Sequence, residues 1–176
     1  MSPIGSQDTG GSKNDAVSIK EWLATSFTVQ GALPVKSVGV YMKRLYTETL
    51  KNSFVVMELH ADDNGKPAAA ALAASTQPIT RPTLSENWIW FNLDNAATLQ
   101  PGKYGVVFKV DQESDSLVSD VVNVHYVSTD STKPGNDYTR RMLLEWDNNA
   151  RVYKQTTWDP LAYDRTYAVV VSGLAH

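Results

Sequence analysis

Apolar side chains recur at every second position along much of this chain. Val38, Val40 and Met42 alternate with Lys36, Gly39, Tyr41 and Lys43, and Val55, Met57 and Leu59 alternate with Val56, Glu58 and His60. Ile89, Phe91 and Leu93 alternate with Trp88, Trp90 and Asn92, and Tyr104, Val106, Phe108 and Val110 with Gly105, Val107 and Lys109. Successive side chains on a strand point to opposite faces, so each run predicts a strand with one inward face. Further strands are expected over Ser26–Gln30, Val121–Val127, Met142–Trp146, Val152–Gln155 and Tyr167–Ser172. Asp62–Pro67, Gln100–Gly102 and Asp147–Asn149 supply turn residues between them. The alanine-rich Ala68–Ala74 is the one helix-like stretch, and it is too short for a helix stable by itself. Many short strands separated by turns predict an antiparallel β-sandwich.

Residues Met1–Ala16 differ in kind, being rich in Ser, Gly, Asp and Asn. Such a segment buries too little apolar surface to offset its ordering entropy. The expected organisation is a flexible N-terminal arm over 1–16, which either stays free or orders on a neighbouring subunit, ahead of a domain over 17–176. The 176 residues suit one domain with a core of its own.

Composition then narrows the chemistry. With no cysteine, disulfide scaffolds, thiolate zinc sites and cysteine nucleophiles are excluded. A net charge of -3 gives no basic footprint for nucleic acid or anionic lipid. Neither a membrane-length apolar run nor an apolar signal core is present, so membrane insertion is not expected.

The histidines are His60, His125 and His176; His60 falls on the outward phase of its strand and His176 is the last residue. No nucleophile elbow, phosphate loop or zinc-protease helix motif occurs, and the expectation is a non-enzyme without a catalytic residue or cofactor. A distant carboxylate pair of the glycosidase kind leaves no spacing signature, but the acids cluster in turns, where solvation accounts for them. Asp62, Asp63 and Asn64, and likewise Asp111, Glu113 and Asp115, offer too few oxygens for calcium, so turns rather than metal sites are expected.

The aromatic residues carry more information. If Ile89, Phe91 and Leu93 face inward, Trp88 and Trp90 face outward, and Tyr41 does so on its own strand. Flat amphipathic rings of this kind suit a partner protein or a sugar ring. The alternative is a satellite core beneath the arm or a loop. Trp146, at a strand end, is expected in the core; Trp22 and Trp158 stay ambiguous. Arg140, Arg141, Arg151, Lys154 and Arg165 are balanced by Asp137, Glu145, Asp147, Asp159 and Asp164, which predicts a solvated or inter-subunit surface rather than a phosphate site.

The order of strands and turns also carries a resemblance. Trp22–Val29 (Trp-Leu-Ala-Thr-Ser-Phe-Thr-Val) is followed by Val35–Met42, Val56–Pro67, Trp88–Leu93, Thr98–Tyr104 and a last block from Asp137 through Trp158 to Gly173. This succession resembles the choice-of-anchor, or carbohydrate-binding-like, jelly-roll modules of bacterial surface proteins and phage virion proteins. In that pattern a Gln-Ser-Phe-Thr-Val strand opens the domain. An Ile-x-x-Asp-x-x-Gly-x-Pro strand and turn follows, then a Leu-x-x-Gly-x-x-Tyr segment before another strand. Here Thr25 stands in place of Gln, Ala68–Ala74 replaces a more strand-like stretch, and Gln112–Pro134 is longer than the corresponding linker.

The resemblance implies a jelly-roll β-sandwich and a non-enzymatic virion structural protein. The role implied is phage head decoration or a surface or fibre adhesion module, assembled in the host cytoplasm. Its expected partners are other virion proteins, of capsid or tail, and further copies of itself in a trimer. The second reading is a carbohydrate-binding module, extracellular, in which Trp88, Trp90 and Tyr41 contact a cell-surface glycan.

Overall fold

In the computed structural model, residues 4–11, 13–49, 52–112, 120–128, 139–161 and 165–176 are described. They form fifteen strands. The first eight are β1 (Ile4–Gly5), β2 (Lys13–Ser18), β3 (Glu21–Val29), β4 (Leu33–Arg44), β5 (Phe54–Asp62), β6 (Pro67–Pro78), β7 (Asn87–Leu99) and β8 (Gly102–Asp111). The remainder are β9 (Val121–Ser128), β10 (Thr139–Leu143), β11 (Glu145–Asp147), β12 (Val152–Lys154), β13 (Asp159–Pro160), β14 (Arg165–Tyr167) and β15 (Val169–Ser172).

All pairings are antiparallel, and the long strands pair as nested sets: β5 with β6, β4 with β7, β3 with β8 and β2 with β9. Further pairing of β9 with β4 and of β5 with β8 groups them into two four-stranded layers, β2-β9-β4-β7 and β3-β8-β5-β6. The first layer continues through β15 and β1 along β4, the second through β10 and β13 along β3. Hydrogen bonding passes between layers at the tight β2–β3 hairpin, where Ser18 pairs with Glu21. At the opposite side the layers are joined by side chains instead. Ser75 Oγ donates to the Asn92 carbonyl at 2.7 Å, and Gln77 Nε2 to the Trp90 carbonyl at 2.8 Å.

The protein is therefore an antiparallel β-sandwich, and its period-two positions fill the space between the layers. Val38, Val40, Met42, Ile89, Phe91, Val122 and Val124 of one layer meet Leu23, Val55, Met57, Leu59, Val106 and Phe108 of the other, none more than 1 % exposed. Burying each such side chain contributes roughly 1.5–3 kcal/mol, which makes this interface the main source of stability. A register shift between Val35 and Ser37 lets Leu33 and Val35 face the same core as Val38, Val40 and Met42 despite their opposite phase.

Several expectations are corrected. Ala68–Ala74 lies within strand β6, because pairing with β5 outweighs the helical preference of so short a run. Trp146 is not in the core; it is 37 % exposed on the β11–β12 hairpin. His60 does project on the outward phase of β5, but it is buried there, with its Nδ1 2.7 Å from the Ala68 carbonyl and its Nε2 2.8 Å from Glu58 Oε2. Two predicted strands are each divided in two. Met142–Trp146 spans β10 and β11, and Tyr167–Ser172 breaks at Ala168, whose N–H donates to the His125 carbonyl on β9 while its own carbonyl accepts from Tyr41 on β4.

The expected boundary between residues 16 and 17 falls inside β2, and both β1 and β2 are hydrogen-bonded into the first layer. Their polar composition is compensated by specific pairing. Both Asp15 carboxylate oxygens accept from Arg165 Nη1, at 2.8 and 2.7 Å, and Oδ2 also accepts the Tyr167 hydroxyl at 2.5 Å. Much of the Gln112–Pro134 segment, Glu113 and Asp115 included, lies outside the described residues, as do Asp137, Tyr138 and Asp164.

Candidate functional site

Tyr41, Trp88 and Trp90 come together on the outer surface of the first layer. The cause is register: Tyr41 pairs with Trp88 and Gly39 with Trp90 across β4 and β7, so all three rings project from one face. Tyr41 and Trp88 have centroids 5.5 Å apart, tilted at 49°, and Trp88 and Trp90 lie 6.3 Å apart at 25°. The row extends at both ends. His125 of β9 meets Tyr41 edge-on at 5.4 Å, and the imidazole of His176 stacks on Trp90 at 3.6 Å and 14°.

Chain segments hold the ends of this row. His125 is fully buried, with Nδ1 3.2 Å from Glu86 Oε1 and Nε2 3.0 Å from the carbonyl of Gly10. His176 is tied down by its backbone, its N–H donating to Asn92 Oδ1 at 3.0 Å and its carbonyl accepting from Asn92 Nδ2. Between these ends Trp88 and Trp90 are half-buried and, with Gln7 and Val170, line an open hollow of about 340 Å³. The row is thus partly a satellite core and partly accessible surface.

A second arrangement, which sequence reasoning did not single out, occupies the outer surface of the other layer. Trp22 of β3, Lys109 of β8, and Glu58 and His60 of β5 project there. Glu58 Oε2 accepts from Lys109 Nζ and from His60 Nε2, each at 2.8 Å, and Lys109 Nζ sits 3.9 Å from the centroid of the Trp22 ring. Burial opposes ionisation of Glu58, but these two donors outweigh it and hold the carboxyl below its usual value of 4.5. The chain from Met142 to Trp158 folds back alongside. Two hollows result, of about 270 and 370 Å³, and Trp22 and Lys109 line both. Trp158 closes one end, packed on the buried pair Ala24 and Val107. The available signal was the outward phase of Val107 and Lys109; what brings Trp158 over them is the pairing of β10 with β3.

The acidic turn at Asp62–Asn64 is organised by its own backbone. Asp63 N–H donates to the Lys66 carbonyl at 2.8 Å, Gly65 N–H faces Asp62 Oδ2 at 3.4 Å, and Asn64 and Gly65 take φ of 53° and 82°. Among the described residues no three His, Asp or Glu side chains are grouped to hold a metal ion. No protein-family model matches the chain, and no match was found among curated proteins.

Proposed function

We propose that the protein is a non-enzymatic structural module of a virus particle that works by protein–protein contact, as head decoration or as a surface or fibre adhesion module. The observation that carries this reading is the Tyr41–Trp88–Trp90 row, where aromatic surface is gathered on one face beside an open hollow. Partly exposed aromatics in such a cluster are the usual anchors of a protein interface. The virion setting rests on the sequence resemblance. The nested strand pairs are in keeping with it, since we read them as a jelly roll of eight strands in two layers.

A glycan stacked flat on Trp90 is the less favoured reading. One side of that indole lies over Gly39 and His176 stacks on the ring, so its broad surfaces are already engaged. The test uses particles from the virus that carries this sequence. Full-length protein is expected to co-sediment with them, and Trp88→Ala is expected to lower its occupancy at a temperature where circular dichroism shows the variant still folded. Undiminished occupancy in that variant, or absence of the wild type from the particle by mass spectrometry, overturns the proposal.

A further inference from the structure

We propose that the outer edge of β6 is a self-recognition surface, to which a second copy of this chain adds its own β6, antiparallel across a two-fold axis. The first observation is where the hydrogen bonding stops. β6 ends the order of its layer: it pairs with β5 on one edge and, among the described residues, with no strand on the other. Ile79 N–H donates to the Ser53 carbonyl, in the same register as the Val55–Gln77 and Met57–Ser75 pairs. Residues that exchange hydrogen bonds alternate with residues that do not, so Ser75 and Gln77 turn their backbone groups to β5 while Ala74 and Thr76 turn theirs outward.

The second observation is that other edges are protected and this one is not. β1 and β13 have two residues each, and the β7 carbonyls at Trp90 and Asn92 already accept the Gln77 and Ser75 side chains. β6 runs for 12 residues from Pro67 to Pro78 without a charge, and Leu72 stands exposed on it. Its irregularities lie opposite Leu59–Asp62, which leaves Ala73–Pro78 regular. A long uncharged edge is a template for another strand.

Charge selects the occupant. Full antiparallel overlap of two β6 strands sets Pro67 of each copy against Pro78 of the other. The turn ahead of β6, with Asp62, Asp63 and Lys66, carries a formal charge of one negative, and it then lies beside the partner's exposed end of opposite sign, where Arg81 follows β6. The same contact forms twice, as an isologous interface requires. A seam one strand deep and about 40 Å long is small for a specific interface, so a dissociation constant on the order of 100 μM is expected. The symmetry is two-fold, in place of the three-fold one that the resemblance implies, and the inference does not rest on the adhesive reading of Trp88 and Trp90.

Sedimentation velocity of the full-length protein from about 10 μM to about 1 mM should show a reversible monomer–dimer equilibrium. Amide exchange followed by NMR at about 50 μM and about 1 mM locates the seam: the Ala74 and Thr76 N–H groups should slow about threefold at the higher concentration, while those of Ser75 and Gln77 are slow at both. Leu72→Lys sets like charges across the axis and should weaken the dimer at least about tenfold. Asp63→Lys and Arg81→Glu should each weaken it, and the two together should restore it. Melting temperatures check that the variants fold, and the wild-type exchange map decides the question without them. A chain that stays monomeric at the highest concentration, a trimer, or a dimer whose Ala74 and Thr76 amides remain fast overturns the proposal. So does a dimer that tolerates Leu72→Lys or that the paired charge reversal fails to restore.

Discussion

The six-membered ring of Trp90 lies over Gly39 so closely that a Cβ at Gly39 would sit 2.8 Å from both Cζ3 and Cη2. Glycine is needed there for space rather than for backbone conformation, because it leaves the indole room to lie across β4 and take His176 on top. Gly39→Ala should therefore displace Trp90 and destabilise the protein by about 1–3 kcal/mol. In a double-mutant cycle with Trp90→Ala much of that cost should vanish, since the obstructed ring is gone. Additive losses in urea denaturation would contradict this account.

Asp15 gathers Arg165 and Tyr167 at one point in the first layer. Tyr167 is 1 % exposed, and burial, with the Asp15 charge beside it, holds its phenol well above the usual tyrosine range. Tyr167→Phe removes one hydrogen bond to a charged acceptor and should cost about 1.5–3 kcal/mol. Asp15→Ala should cost more, because it leaves both the guanidinium and the hydroxyl without their acceptor. Chemical denaturation of the two variants measures the order.

Glu58 predicts an acid limb in the stability profile. Its folded pKa is depressed below 4.5, so its contribution is fully present above that pH and is lost as pH falls through the folded value. Glu58→Gln should flatten the dependence of the urea midpoint below about pH 4.5 while leaving that above it nearly level. Glu21 has the opposite sign. Burial raises its pKa against the pull of Arg141, so protonating it relieves a cost of folding.

The β11–β12 hairpin depends on one carboxylate. Asp147 forms an ion pair with Lys154 and accepts the N–H groups of Ala150 and Asn149, contacts that lower its pKa to about 2. Asp147→Ala should loosen the hairpin without unfolding the sandwich. Loss of the near-ultraviolet dichroism of the tilted Trp146–Tyr153 pair, with an unchanged global melting temperature, is the expected result.

What could be read from the chain was set by side-chain contrast. Strands β4, β5, β7 and β8 alternate large apolar with polar or aromatic residues, so their inward positions and the outward Trp88–Trp90 pair were evident. Strand β6 carries alanine at successive positions and has no period to read. Strand β2 is polar, and its place depends on Arg165 and Tyr167, about 150 residues away. His60 is buried on its outward phase because Ala68 and the segment ending at Trp158 lie beside it, which alternation alone cannot reveal. The second cleft was equally hidden, because it exists only once Met142 is paired with Trp22.

Nesting of the strand pairs has a kinetic consequence. Among the four nested pairs, residues 54–62 and 67–78 close the shortest loop, whereas Lys13 must find Tyr126 before β2 and β9 can pair. Loop-closure entropy rises with separation, so the β5–β6 hairpin is the natural nucleus of the nested pairs, the β2–β9 seam zips after it, and the β1–β15 edge, where Ile4 meets Val171, is the last to close. During synthesis β2 waits for β9 until the chain has grown past residue 126, and β1 waits for β15 until it has grown past residue 171. Folding of this protein should accordingly be slow for its size, and the interval before that seam closes is when its strand edges are most exposed to mispairing with other chains.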